Sequence, residues 1–284
     1  SFLGNVQLKG VEIRDHHQDT LIFVKKLSTS ILNAKKVLES QVNLGSISLD
    51  GGYVYMKTYK GEKDDSMSVF IDGFDDGSPK DSLAPKFILK SSNVYVSDLN
   101  YKLIDDNRKS PILFSASNVG GNLQDMLVYG PDFSSKIRGL YLKDNRGLDI
   151  TNLTTDFSYS KTAMHFVNTT LQTRESEIKA NIDFTYKRED LIDFNNKVNI
   201  TASFVKSKVS VQDLKKYYNE LSGNDDIYFS GNLKGKLNNF SLNKLWLTSR
   251  KGIKVIGDLD FVNAVNFEKG FVFRGNLRDL TATY

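Results

Sequence analysis

Ile178-Lys179-Ala180-Asn181-Ile182-Asp183-Phe184-Thr185-Tyr186-Lys187 alternates apolar and polar residues without a break. Successive side chains of an extended chain point to opposite faces, so Ile178, Ala180, Ile182, Phe184 and Tyr186 share one face. Lys179, Asn181, Asp183, Thr185 and Lys187 take the other. A helix would spread these residues around its circumference, so the stretch reads as a strand buried on one side only. Working outward, the same period recurs at Val198, Ile200, Ala202 and Phe204, and at Ile227, Phe229, Leu233 and Leu237. It returns at Ile253, Val255, Leu259 and Phe261, and again at Phe271, Phe273 and Leu277. Between these runs lie Asn, Asp, Gly and Ser clusters such as 143–147 and 221–226, residues that tolerate positive φ or bond their own backbone. The spacing predicts antiparallel meanders of roughly 15 to 18 strands, an all-β chain.

Two segments carry helical spacing. Asn33 to Glu39 sets Ala34, Val37 and Leu38 on one side, and Ser210 with Asp213 resembles a capping box opening a helix over 211–221 that Gly223 stops. On that second helix Leu214, Tyr217, Tyr218 and Leu221 share a face and would pack against an end or opening of the sheet as a lid. A loose repeat of Gly-Asn followed by an apolar residue occurs at Gly4, Gly121, Gly231 and Gly275. Its spacing is irregular, which argues against a solenoid of fixed period. It reads either as a marker of turns and bulges or as similar rungs added along one sheet.

The hydrophobic share is 39%, somewhat below the usual globular level, and 38 basic residues are interspersed with 34 acidic ones. Phosphate tracking needs a basic stripe, so nucleic acid is a poor partner. The chain has no cysteine, which excludes disulfides, thiolate metal sites and cysteine nucleophiles. No apolar run approaches the ~20 residues of a membrane-spanning helix. The chain begins at Ser1 and stops at Tyr284 inside an apparent strand, so it is expected to be a piece of a longer protein with any leader or anchor upstream.

Groups for chemistry are few. The loop Asp15-His16-His17-Gln18-Asp19 offers imidazoles and carboxylates, but adjacent histidines on a strand diverge and would meet at one ion only in a tight loop. The stretch therefore reads as a solvated turn, and no metal is expected. His165 reads as a packed or half-exposed strand residue. Asp72, Asp75, Asp76 and Asp81 lack the ligand spacing of a calcium loop and read as a solvated acidic segment. Trp246 reads as core. There is no nucleophile elbow and no phosphate-cradling glycine loop, so neither a catalytic residue nor a cofactor is expected.

Several stretches resemble the amino-proximal periplasmic part of TamB-type proteins, within the wider AsmA-like superfamily. They are Gly4-Asn5-Val6-Gln7-Leu8-Lys9-Gly10-Val11, Asp15-His16 with Asp19-Thr20-Leu21, Met56-Lys57-Thr58-Tyr59-Lys60-Gly61-Glu62, Phe74-Asp75-Asp76-Gly77 and Arg188-Glu189-Asp190-Leu191. The resemblance implies one continuous sheet over 1–284, with a soft subdivision near 205–226, curled into an open trough that is polar outside and apolar inside. It implies a non-catalytic conduit in the Gram-negative periplasm, carrying phospholipid between inner and outer membranes. An inner-membrane anchor would lie upstream, and a TamA-like outer-membrane barrel would be met by a carboxy-terminal part absent here. The alternative within the same family is a scaffold or chaperone for outer-membrane protein assembly or secretion. Pattern alone favours a two-sheet sandwich, since a period-two face can be covered by a second sheet; the resemblance and the low apolar share favour the trough. The residues expected to line the groove are Ile178, Ile182, Phe184, Val198, Ile200, Phe204, Phe229, Leu233, Leu237, Val255, Leu259, Phe261, Phe271, Phe273 and Leu277.

Overall fold

The computed structural model of the chain describes residues 5–31, 41–75, 77, 86–218 and 221–282. Fourteen strands are ordered as they occur in the chain and form an open sheet that does not close into a barrel. They are β1 (Asn5–Arg14), β2 (Thr20–Ile31), β3 (Gln41–Thr58), β4 (Ile88–Asp105), β5 (Ile112–Tyr129), β6 (Asp132–Asp144) and β7 (Asp149–Tyr159), then β8 (Ala163–Gln172), β9 (Glu177–Thr185), β10 (Asn199–Ser210), β11 (Asp226–Lys236), β12 (Asn239–Ser249), β13 (Lys254–Val262) and β14 (Val272–Thr281). The expected number was higher because β3, β4 and β5 each run 18 residues, through breaks in alternation that read as strand ends. The sheet is mostly antiparallel. Among the described pairings, β3 with β4 is parallel, from Gln41 opposite Ile88 to Thr58 opposite Asp105. A parallel pair needs a long crossover, and this one carries a helix the sequence reading missed, α1 (Ser66–Asp72). Asp65 caps it, accepting from the N–H groups of Met67 and Ser68 at 3.0 Å each. The helix expected over 33–39 lies outside the described residues.

Two compact units divide the chain, Ser1–Thr151 with Ser158–Ser160, and Asn152–Phe157 with Lys161–Tyr284. The division falls around the β7–β8 hairpin. In the first unit, register aligns Thr29, Ile47, Val94, Leu123 and Ile137 in one cross-strand row, and Leu8, Leu27, Leu49 and Val96 in the next. Ile47 and Val94 are buried there, with Leu21 and Val24 on β2. Gly52 must be glycine: its φ is +146°, and an added Cβ would collide with the carbonyl of Phe23 on the neighbouring strand.

In the second unit the ladders are interrupted in a regular way. Asn168, Lys206 and Lys244, at even intervals along the chain, adopt φ of 54°, 44° and 52° on β8, β10 and β12. Each is an extra residue in its strand, a β-bulge, since Phe166 and Thr169 face Ile182 and Ala180, Phe204 and Ser207 face Gly231 and Phe229, and Leu242 and Leu245 face Leu259 and Gly257. A bulge leaves a backbone N–H without its ladder partner. Here the single residue opposite each bulge supplies an acceptor: Asn168 N–H donates to Asn181 Oδ1 (2.7 Å), Lys206 N–H to Ser230 Oγ (2.8 Å) and Lys244 N–H to Asp258 Oδ1 (2.7 Å). Buried hydroxyls do similar work nearby. Ser207 Oγ accepts from Lys179 N–H at 3.0 Å and donates to Lys179 C=O at 3.2 Å, and Thr155 Oγ1 donates to Val167 C=O at 3.1 Å. The described Gly-Asn repeats sit beside these interruptions or opposite a leucine in mid-strand, not in turns: Gly231 pairs with Phe204, and Gly275 with Leu259.

The second expected helix is shorter than read. It is the single turn α3 (Val211–Leu214), followed by turn residues 215–217, and a separate one-turn helix, α2 (Phe194–Lys197), precedes β10. Ser210 caps α3, accepting from Gln212 N–H at 3.3 Å, but Asp213 does not complete a capping box. Its buried carboxylate reaches instead into the β8–β9 turn, accepting from Thr173 Oγ1 (2.5 Å), Ser176 Oγ (2.7 Å) and Lys216 Nζ (3.1 Å). Tyr217, Tyr218 and Leu221 are exposed, and only Leu214 of the expected packing face is half-buried. With its acidic residue bonded to the neighbouring turn, the segment closes after a single turn of helix.

Two measurements check this account. Gly52→Ala is expected to cost more in urea denaturation than Gly10→Ala, where φ is +65° but nothing lies within 4 Å of an added Cβ; the open site should show only the left-handed penalty of about 1–2 kcal/mol. Burial works to raise the Asp213 pKa, but hydrogen bonds from Thr173, Ser176 and Lys216 outweigh it and hold the carboxyl below the ordinary range. A depressed native pKa stabilises the fold above the unfolded value of ~3.9 and ceases to as pH falls through the native one. Asp213→Asn should therefore lower the thermal midpoint at pH 7, and the gap to the wild type should narrow in acid.

Candidate functional site: the apolar face of the second unit

Strand register builds this face row by row. Met164, Phe184, Ile200, Gly235, Phe240, Phe261 and Phe273 lie opposite one another across β8 to β14, and Phe166, Ile182, Ala202, Leu233, Leu242, Leu259 and Gly275 form the adjacent row. Beyond the bulges the apolar side continues through Phe229, Leu247, Val255 and Leu280. Each bulge inserts one residue and so restores the apolar set to the same face on its far side; without it the strand's second half would present its polar residues there.

The opposite face carries His165, Asp183, Thr201, Lys234, Ser241, Asp260 and Arg274 in one row. His165 Nδ1 lies 2.6 Å from Asp183 Oδ1, and Ser241 Oγ donates to Asp260 Oδ1 at 2.5 Å. Charges of both signs interleave along this row, a solvated surface whose exposed pairs contribute little to stability.

Aromatic rings knit the apolar face. Phe157 lies 4.8 Å from Phe166, Phe166 6.0 Å edge-on to Phe184, and Phe184 5.5 Å from Phe194. Phe240 and Phe261 stack at 4.7 Å, and Phe261 reaches Phe273 at 5.6 Å. Buried positions are Ala180, Val198, Ile200, Ala202, Leu245 and Leu259, while Ile182, Phe184, Phe204, Leu233 and Phe261 are only half-buried. Within the unit, described strands contact chiefly their ladder neighbours, and no second sheet of described residues packs on this face. At β14 the exposure rises further, to 52% at Phe273 and 64% at Leu280.

Most of the residues expected to line a groove fall on this face by register, from Ile178 and Ile182 to Phe273 and Leu277. Three do so less directly. Val198 precedes β10 and is fully buried, Leu237 lies in the β11–β12 turn, and Phe271 precedes β14, 6.4 Å from the Phe261 ring. Trp246, expected in the core, stands on the polar side at 43% exposure, because the bulge at Asn243–Lys244 exchanges the faces of the residues after it. Phe240, Leu242 and Leu247 were not foreseen for the same reason: β12 alternates correctly only when the extra residue is counted. Of the acidic segment, Asp72 ends α1 and Asp75 Oδ1 accepts from Gly77 N–H at 3.0 Å, while Asp76 and Asp81 lie outside the described residues.

Comparison of the chain with protein-family models, with curated proteins and with solved structures finds no match in any of the three.

Proposed function

We propose that the apolar face of the second unit holds the acyl chains of phospholipid and that the chain is part of a periplasmic, non-catalytic conduit of the TamB or AsmA-like kind. The observation that carries this reading is a contiguous set of apolar rows across β8 to β14 in which many large side chains are only half-buried, with no second layer of described residues over them. Contiguous exposed apolar surface of this kind marks a surface that binds something. An acyl chain of roughly 16 carbons in water faces a penalty of about 12 kcal/mol, at ~0.8 kcal/mol per methylene. Laid along these rows it exchanges that exposure for contact with Phe, Leu and Ile while its headgroup stays in water. Such movement along an apolar track requires no catalytic group on the track. In the same reading, an upstream segment anchors the protein in the inner membrane and a carboxy-terminal part meets a TamA-like barrel in the outer membrane.

The second reading is a scaffold for outer-membrane protein assembly, in which a client strand adds to an edge of the sheet by main-chain hydrogen bonds. The observation that favours it is β14, which has β13 as its ladder neighbour in the described sheet and presents exposed Phe273 and Leu280.

Charge on the face separates the two. Leu233→Asp and Ile182→Lys place an ionised group where acyl chains would lie, while the half-buried site still lets the group reach water, so unfolding should become easier by only about 1–2 kcal/mol. Native mass spectrometry of the purified chain is expected to show phospholipid lost from both variants and retained by Lys234→Asp on the polar face. In cells carrying the full-length protein, outer-membrane integrity should fail in the same two variants. Folded variants with full lipid occupancy would remove the conduit and leave edge recognition by β14 as the better account.

A further inference from the structure

The loop between β1 and β2, in the first unit, brings together groups that neither the sheet nor the proposed conduit uses. Asp15 N–H donates to Asp19 C=O at 2.9 Å and Gln18 N–H to Asp15 C=O at 3.0 Å, with Gln18 left-handed at φ 66°. Buried Asp15 closes the loop from inside, its Oδ1 accepting from the N–H groups of His17 (2.9 Å) and Asp19 (3.1 Å). This is the tight loop in which neighbouring histidines stop diverging. The two imidazole centroids lie 4.6 Å apart, and both Nε2 atoms turn to one carboxylate: His16 Nε2 is 3.0 Å from Glu62 Oε2, and His17 Nε2 is 2.6 Å from Glu62 Oε1.

Glu62 is delivered by the segment leaving β3 and is held there independently of the histidines. Its N–H donates to Tyr59 C=O at 3.0 Å. Asn107, from the β4–β5 turn, donates through Nδ2 to the carbonyls of Tyr59 (3.3 Å) and Glu62 (3.2 Å) and accepts from Gly61 N–H at 2.8 Å. Tyr59 orients the rings, stacking on His17 at 3.9 Å and meeting His16 edge-on at 5.6 Å. Its hydroxyl is fixed between Asp15 Oδ2 (2.7 Å) and Asp19 Oδ2 (2.8 Å). Outer groups that fix ligand orientation in this way are a feature of built metal sites.

We propose that His16, His17 and Glu62 bind one divalent transition-metal ion of the zinc class. The three donor atoms lie within 4.8 Å of one another. Two imidazoles and a carboxylate form a donor set that suits zinc, copper or nickel rather than calcium or magnesium. Ligands at ~2.0–2.2 Å around a tetrahedral ion sit about 3.3–3.5 Å apart. The present separations are hydrogen-bond distances, so binding needs the Glu62 carboxylate to draw back by less than about 1 Å and each ring to turn its Nε2 lone pair inward, with the proton on Nδ1. The side chains are 28%, 44% and 34% exposed, which leaves the remaining coordination position to water. An ion here would tie the β1–β2 loop to the segment after β3, closing a contact between residues far apart in sequence at one end of the first unit's strands.

The test uses the whole chain without a histidine tag, stripped with chelator and titrated with zinc chloride. Calorimetry should show saturable binding at one ion per chain, and at a free zinc concentration ~100 times the Kd the thermal midpoint should rise by about 5 °C or more. Cobalt(II) at the same site should give the intense visible absorption of a four-coordinate ion. His16→Ala, His17→Ala and Glu62→Gln should keep the metal-free circular dichroism and thermal midpoint, because these side chains are exposed, and should each weaken zinc binding at least tenfold. Absence of one-to-one binding, or binding that survives in the His16→Ala/His17→Ala double variant, would overturn the proposal.

Discussion

The structure depends on one requirement, that every backbone donor inside the sheet finds an acceptor even where a strand carries a residue too many. Burying an unpaired N–H costs on the order of 1–3 kcal/mol. The three bulge N–H groups of the second unit sit on exposed residues, where water is the competing partner, so each side-chain bond there is worth nearer ~1 kcal/mol. The side-chain oxygens of Asn181, Ser230 and Asp258 take those bonds within the sheet, each placed on the strand facing a bulge and directed at the left-handed residue. These are short polar side chains at mid-strand positions, where β-propensity would favour branched or aromatic residues. Their presence there follows from backbone pairing and not from the side-chain packing of the sheet.

That repair decides what the faces look like. Because the side-chain period of a strand is 2, an unrepaired insertion would exchange the two faces over half the sheet. With the extra residues of the bulges on β8, β10 and β12, Leu242 and Leu247 come to the same side of β12 although they are five positions apart, as do Phe204 and Val209 on β10. The apolar surface is continuous because the strands are irregular. A perfectly alternating set of long strands would have no such device to bend the ladders, and bulges are where strands bend and their twist increases.

This explains how much could be read from residues alone. Where a strand lacks a bulge, as in β9 from Ile178 to Phe184, alternation gives face and partner correctly, since burial and sequence carry the same period. Where a bulge intervenes, the pattern shifts by one, and Trp246 was assigned to the wrong environment. The crossover helix Ser66–Asp72 escaped notice because its capping signal, Asp65, stands in a run of polar residues that reads as loop. The helix after Ser210 was drawn too long because helical spacing of Leu214, Tyr217, Tyr218 and Leu221 says nothing about Asp213, whose bonds to Thr173 and Ser176 join residues distant in sequence. The convergence of His16 and His17 on Glu62 is invisible for the same reason: it depends on a loop geometry and on a third residue delivered from another strand.

A sheet with one apolar face is not a complete structure in water. Strands gain most of their stability by packing that face against another layer, yet Phe184, Phe204, Leu233 and Phe261 are only half-buried. The short helical segments around Phe194 and Val211 contact only small parts of it, with Phe194 set against Phe184 at 5.5 Å. Aromatic contacts along the face and the side-chain repairs of the ladder can hold such a sheet in shape, because both act between neighbouring strands and need no covering layer. The same arrangement leaves the apolar rows available to a flexible apolar occupant, which can fit along half-buried side chains without displacing any of them. A polar occupant would instead leave those rows in contact with unpaired polar groups. On the reading proposed for this face, the pattern of half-burial favours an occupant that is apolar, extended and conformationally adaptable, a narrower statement than the fold class allows.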